Sequence, residues 1–121
     1  MSFINYQDPR PVYEQIVDYY EKLIVKGILA KDSQMPSVRQ IAAELSINPN
    51  TIQKAYGLLE KNGFIYSVKG KGSFVSDNAA LVKNKRAEWL ADMKKRFKEG
   101  KEIGVDREDL DKLIGEIFDG G

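Results

Sequence analysis

The sequence contains no cysteine and no histidine. Without cysteine there are no disulfides and no thiolate metal sites, which fits a reducing cytoplasm. Without histidine, the usual general base, proton shuttle and imidazole metal ligand are all missing. No apolar run approaches the roughly 20 residues of a membrane span. The opening MSFINYQDPR lacks the basic start and apolar stretch of a signal peptide. We therefore expect a cytoplasmic protein with no membrane partner. An enzyme would have to be built from Asp, Glu, Lys and Tyr. The clustered acids Asp106, Glu108, Asp109 and Asp111 lack the spacing of a calcium loop and read as helix-start charge. The expectation is no enzyme, no metal and no cofactor.

Net charge is also nearly absent, at +1 over 121 residues, but the total conceals a pattern. Residues 36–75 carry five basic and two acidic side chains, a net +3. Residues 83–101 carry eight basic and three acidic, a net +5, and residues 102–119 two basic and seven acidic, a net −5. A basic first module is followed by a basic helix and an acidic tail.

Periodicity supplies the elements. Pro11 is suited to a first helical position, and Val12, Ile16, Tyr19 or Tyr20, and Leu23 recur at helical spacing up to Gly27, a C-terminal cap. This predicts a helix over 11–26. Residues 28–36 read as a loop. Ser37 and Gln40 match a capping box, and Val38, Ile41, Ala42 and Leu45 give a second helix over 37–45 an apolar face. Ser46-Ile47 forms a tight turn, where Gly is more usual. Asn48 as N-cap and Pro49 at N1 start a third helix, buried through Ile52, Ala55 or Tyr56, and Leu59 and ended by Asn62-Gly63. Phe64–Val68 and Ser73–Ser76, either side of Lys69-Gly70-Lys71-Gly72, read as a hairpin. After a junction at 77–80, a long helix over about 80–99 and a final helix capped by Asp106 follow, with Gly100 and Gly104 bracketing the turn.

The fold class expected is mostly α with a small β-hairpin. It comprises an N-terminal winged helix-turn-helix over 1–77 and a C-terminal helical hairpin for dimerisation over 78–121. A winged helix-turn-helix lays one helix in the DNA major groove and a hairpin beside it. The third helix carries Asn50, Thr51, Gln53 and Lys54 on the face not needed for packing. Asn and Gln pair bidentately with adenine, Thr offers a hydroxyl to phosphate and a methyl to thymine, and Lys meets phosphate or guanine. Arg39, near the start of the second helix, is expected to reach either a phosphate or a guanine edge. Lys69 and Lys71 alternate with glycines at the wing tip, where Gly70 lets the backbone approach a groove and the cations suit the negative minor groove. Each signal has an ordinary alternative: a helix start, a surface arginine or one paired with Glu44, a plain hairpin tip. Their weight comes from occurring in one order at one spacing.

From Pro11 to Val75 the chain resembles the DNA-binding domain of GntR-family bacterial transcription regulators. The shared features are Pro11-Val12-Tyr13-Glu14-Gln15-Ile16, Met35-Pro36-Ser37-Val38-Arg39, Asn48-Pro49-Asn50-Thr51-Ile52, Ala55-Tyr56 with Leu59-Glu60, and Gly70-Lys71-Gly72-Ser73-Phe74-Val75. Met35 stands where the family usually has Leu. The resemblance implies that Arg39, Asn50, Thr51, Gln53 and Gly70 sit at DNA-contacting positions; Ser37, Lys54, Lys69 and Lys71 complete the candidate set. About 44 residues follow the module, too few for the larger effector domains of the family and similar in size to the two-helix tail of the YtrA-like subfamily. That likeness implies a homodimeric repressor of a transporter operon, acting on a palindromic operator in double-stranded DNA.

Two short amphipathic helices cannot bury both apolar faces alone. Trp89, Leu90, Met93, Phe97, Leu110, Ile114 and Ile117 need a cover, either the first module or a second copy of the tail. The basic and acidic stretches are complementary, so they pair within or between chains, or else form a solvated face. A small-molecule effector, if there is one, has no signature in the sequence. The alternative function is a winged-helix protein-interaction module without sequence-specific DNA binding. The polar residues of the third helix weigh against that alternative, because a protein interface core favours aromatics and Met.

Overall fold

The computed structural model describes residues 3–120. The elements run α1 (Val12–Val25), α2 (Val38–Leu45), α3 (Pro49–Lys61), β1 (Ile65–Val68), β2 (Gly72–Val75), α4 (Ala79–Glu102) and α5 (Arg107–Phe118). The chain divides into two compact units, residues 1–82 and 83–121.

In the first unit, α1, α2 and α3 enclose a core completed by the hairpin. Ile16, Ile52, Leu59, Phe64 and Val75 are the largest fully buried side chains. Each contributes about 1.5–3 kcal/mol by leaving water. The first turn of α4 joins this core through Leu81. The buried face of α3 is Ile52, Ala55, Tyr56 and Leu59, the set its periodicity predicts. Tyr56 does more than fill space. Its hydroxyl donates to the Pro36 carbonyl at 2.6 Å, and its ring meets Tyr20 of α1 edge-on, with centroids 5.9 Å apart.

Helix starts follow the sequence with two corrections. Asn48 Oδ1 accepts from the Asn50 amide at 2.9 Å with Pro49 in the first turn, and Asp106 and Asp109 form a full reciprocal capping box. Ser37 Oγ accepts from the Gln40 amide at 3.0 Å, but the Gln40 side chain turns along the helix to Glu44 at 3.4 Å, so this box is only half made. Pro11 is the N-cap of α1 rather than its first residue, and its extended ψ of 149° is the reason.

Four helix ends share one geometry. After α1, α2, α3 and α4 a residue with positive φ closes a paired 6→1 and 5→2 hydrogen-bond pattern, for example Phe64 N to Leu59 O at 2.9 Å with Gly63 N to Glu60 O at 3.0 Å. Three of these residues are Gly27, Gly63 and Gly104; the fourth is Ser46, at φ 54°. Gly100, expected in the turn, is instead the last-but-two residue of α4, and Val105 packs 3.5 Å from where a Cβ would stand.

The hairpin pairs Ile65 with Val75, Tyr66 with Phe74, Ser67 with Ser73 and Val68 with Gly72. The chain over 28–36 is not wholly loop. Asp32 N donates to Val75 O at 2.7 Å, Val75 N to Ser33 O at 2.9 Å and Met35 N to Ser73 O at 2.8 Å, so 32–35 lies as a third, irregular edge beside β2. The segment lacks the β-branched run that marks a strand: Asp32, Ser33 and Gln34 are polar, Met35 alone is apolar and buried, and the pairing rests on backbone groups.

The N-terminal segment is also ordered by polar contacts. Gln15, only 7% exposed, accepts from the Asn5 amide at 2.8 Å and returns a bond to the Asn5 carbonyl at 3.0 Å.

Two stability predictions follow from this packing. Ser46→Gly relieves the left-handed strain and should raise stability by up to about 1 kcal/mol in a urea melt; a loss would show that the Ser46 side chain has a compensating contact. Burial pushes the Tyr20 hydroxyl from its ordinary 10.0 up to about 12, and pushes Tyr56 up further. The folded state therefore holds these protons more tightly than the unfolded chain. That stability is fully present below about pH 10 and is lost as pH rises through the folded values. Tyr56→Phe should cost about 1 kcal/mol at neutral pH and flatten the decline that sets in above about pH 10.

Candidate nucleic-acid interface

α3 divides cleanly. One face is spent on the core, while Asn50, Gln53 and Lys54 are exposed and Thr51 is half-buried at the rim. The side chains of Asn50, Thr51 and Gln53 make no hydrogen bond among the described residues, so their polar groups are available to a ligand. The Asn50 backbone amide is occupied by the Asn48 cap. Arg39 is exposed on α2 and makes no ion pair among the described residues; the pairing with Glu44 considered from the sequence is not formed.

Between the start of α2, the middle of α3 and the hairpin lies a groove of about 350 Å³. It gathers five of the nine candidate residues, Ser37, Gln53, Lys69, Gly70 and Lys71. No carboxylate lines it, so its two ammonium groups are not offset. The turn at its rim has Lys71 N bonded to Val68 O at 2.9 Å, with Gly70 at φ 77°, as the third position of a type II turn requires. Arg39, Asn50, Thr51 and Lys54 lie outside this groove. Lys54 is diverted toward α1, its ammonium 3.9 Å from the centre of the Tyr13 ring. Ser37 is first a helix cap; its oxygen accepts from the Gln40 amide, which leaves the hydroxyl proton and a second lone pair for a ligand.

Three features of this region have no signal in the sequence. They are the Lys54–Tyr13 contact, the bond from Tyr56 to Pro36, and Gln34, whose side chain reaches the wing at Lys71 O, 3.0 Å away. Each depends on residues brought together across 20 or more positions of chain, which periodicity does not register. Chemically the groove offers cations, amides and a hydroxyl, with no nucleophile–base pair. Among the described residues no group of acids or other ligands could hold a metal ion, and no helix is long and apolar enough to cross a membrane.

In the second unit, α4 and α5 have no buried residue. Trp89, Leu90, Met93, Phe97, Leu110 and Ile114 line one continuous trough of about 1090 Å³. Ile117 does not line it and is 67% exposed. The ion pair seen in α5 is local, Arg107 to Asp111 at 3.8 Å. Lys94, Lys95, Arg96, Lys98 and Lys101 pair with no acid of α5 among the described residues, so of the two readings of the charged stretches, pairing within the chain is not made at these positions.

Comparison with known proteins agrees with this geometry. The family described as bacterial regulatory proteins, gntR family, matches residues 12–75. The chain is 38% identical over 115 residues to the HTH-type transcriptional repressor YtrA of Bacillus subtilis (strain 168), covering 91% of this chain and 88% of the relative. It superimposes on the crystal structure of a transcriptional regulator from Oenococcus oeni with a TM-score of 0.74 and 36% identity, over 97% of this chain and 98% of that one. It also superimposes on the AraR DNA-binding domain in complex with operator ORR3, with a TM-score of 0.55 and 28% identity, over 63% of this chain and 92% of that one. The relatives are transcription regulators and not enzymes. With the family match spanning more than half its length and a near full-length relative among the repressors, the chain belongs to the GntR family of winged-helix transcription regulators.

Proposed function

We propose that this GntR-family regulator is a homodimeric repressor that binds a palindromic operator in double-stranded DNA, in the cytoplasm, and controls an operon encoding a transporter. The observation that carries the reading is the free polar face of α3, Asn50, Thr51 and Gln53, standing beside a groove whose other wall is the Lys69-Gly70-Lys71 wing. Amide side chains on a helix suit base edges in the major groove, and cations on a glycine-rich tip suit phosphates or the minor groove. Arg39 supplies a further unpaired cation on α2. The operator-bound AraR domain, similar in fold, supports DNA as the partner. A protein-interaction module would be expected to place aromatics on this face.

The dimer reading rests on the tail. Leu90 is 63% exposed and Trp89 60%, a large apolar surface for a soluble monomer to leave open. A second copy is the occupant that fits, because it brings both an equal apolar face and the opposite charge. The cations Lys94, Lys98 and Lys101 rim the trough, and the same chain carries −5 over 102–119. A two-fold pair sets the basic rim of one copy against acids of the other, twice, and presents two winged helices to DNA.

Binding to a pool of mixed-sequence duplexes should fall steeply between ~50 and ~200 mM salt, because phosphate contacts release counterions. Arg39→Ala should weaken it by about tenfold and lower the salt slope by about 1 if the contact is to phosphate. A salt-independent affinity, or no loss in the variant, would count against the reading. In sedimentation the wild type should run at twice the 13.7 kDa chain mass. Leu90→Lys should run at one chain mass with the melting of the first unit unchanged. A monomeric wild type at tens of micromolar would exclude the dimer.

A further inference from the structure

Gln34 lies on the irregular edge strand, bridged to Phe74 of β2. Its side chain is exposed, yet it does not extend into solvent. It runs back along the hairpin, and its Nε2 donates to the Lys71 carbonyl at 3.0 Å, 37 residues away in sequence. Gly72 makes room for it. A Cβ at that position would stand 3.2 Å from Gln34 Nε2, and its φ of 114° also favours glycine. The wing tip therefore has two ties. One is internal, Lys71 N to Val68 O at 2.9 Å, and the other is to a residue just upstream of α2. A hairpin with four residue pairs is marginal by itself, so the second tie decides how firmly the tip is held relative to the helices.

We propose that Gln34 is a positioning residue for nucleic-acid binding: it fixes the Lys69-Gly70-Lys71 tip across the groove from Gln53, so that wing and α3 meet a duplex as one rigid body. The inference rests on the DNA-binding reading above and adds to it a residue outside the recognition helix and the wing. The physical cause is preorganisation. A tip already held in place loses little freedom on binding, and a loosened tip must be ordered at that moment.

The clean variant is Gln34→Met, which keeps the length, removes the donor and adds no charge. The backbone bonds of 32–35 to β2 do not involve the side chain, so the fold is retained, as thermal melting will verify. In the free protein, NMR relaxation at the Gly70, Lys71 and Gly72 amides should report a more mobile tip while α3 amides are unchanged. Against a duplex enriched from a random library, affinity should fall two- to tenfold, the range expected for one net hydrogen bond. The salt slope should stay as in the wild type, because no cation has been removed. In a Lys69→Met, Lys71→Met background the same Gln34→Met change should have little further effect, because Gln34 acts through those residues. A tip as ordered as before with undiminished affinity would overturn the proposal. So would a full additional loss in the lysine-free background, which would mean that Gln34 touches DNA itself. A wild type that enriches no duplex would remove the DNA reading and this proposal with it, whatever the relaxation data show.

Discussion

The hydrogen bonds of one short run, Asp32 to Ser37, join the three elements that frame the groove. Its first half is laid against β2 by backbone bonds from Asp32 and Met35 and to Ser33. Its second half receives the Tyr56 hydroxyl at Pro36 and supplies the Ser37 cap of α2. The run therefore ties together the hairpin, the start of α2 and the middle of α3. Tyr66 adds a further tie, donating to Asp32 Oδ1 at 2.9 Å. None of these bonds is individually large, at about 0.5–1.5 kcal/mol net each. Together they tie the wing to α2 and α3, the constraint that contact with two grooves at once would need.

The division of labour along α3 follows from the same packing. Ile52, Ala55, Tyr56 and Leu59 anchor one side so completely that the opposite side is free of structural duty. That freedom lets Asn50 and Gln53 keep unpaired amides without cost, since water satisfies them until a ligand does. Lys54 is an exception to this pattern, parked over the Tyr13 ring. In a DNA complex it must either leave the ring for a phosphate or lend its charge from where it stands.

Much of this was legible in the sequence, and the exceptions have physical causes. The helices were readable because their apolar positions repeat with the helical period and their caps, Asn48, Asp106 and the glycines, sit where backbone groups need partners. The wing was readable from β-branched and aromatic residues flanking Lys69-Gly70-Lys71. The edge strand at 32–35 was not, because its pairing uses main-chain atoms and Met35 is its only apolar residue. The Gln40 side chain could have closed a capping box or run to Glu44, and composition alone does not choose between partners. Gln34, Tyr13 and the Tyr56–Pro36 bond depend on juxtaposition across the chain. Of the candidate residues, the groove gathers Ser37, Gln53 and the wing tip, whereas Arg39, Asn50, Thr51 and Lys54 stand apart from it. In the tail, Trp89, Leu90, Phe97, Ile114 and Ile117, which the sequence marked for burial, are exposed.

The central claim is that this chain presents two identical, internally rigid winged helices to DNA. Selection of bound duplexes from a random library at ~150 mM salt, where non-specific binding is weak, tests it most directly. The account predicts a palindromic consensus with half-sites about one helical turn, roughly 10 base pairs, apart. A single unrepeated half-site would contradict the paired presentation, and no enrichment at all would contradict sequence-specific recognition by this surface.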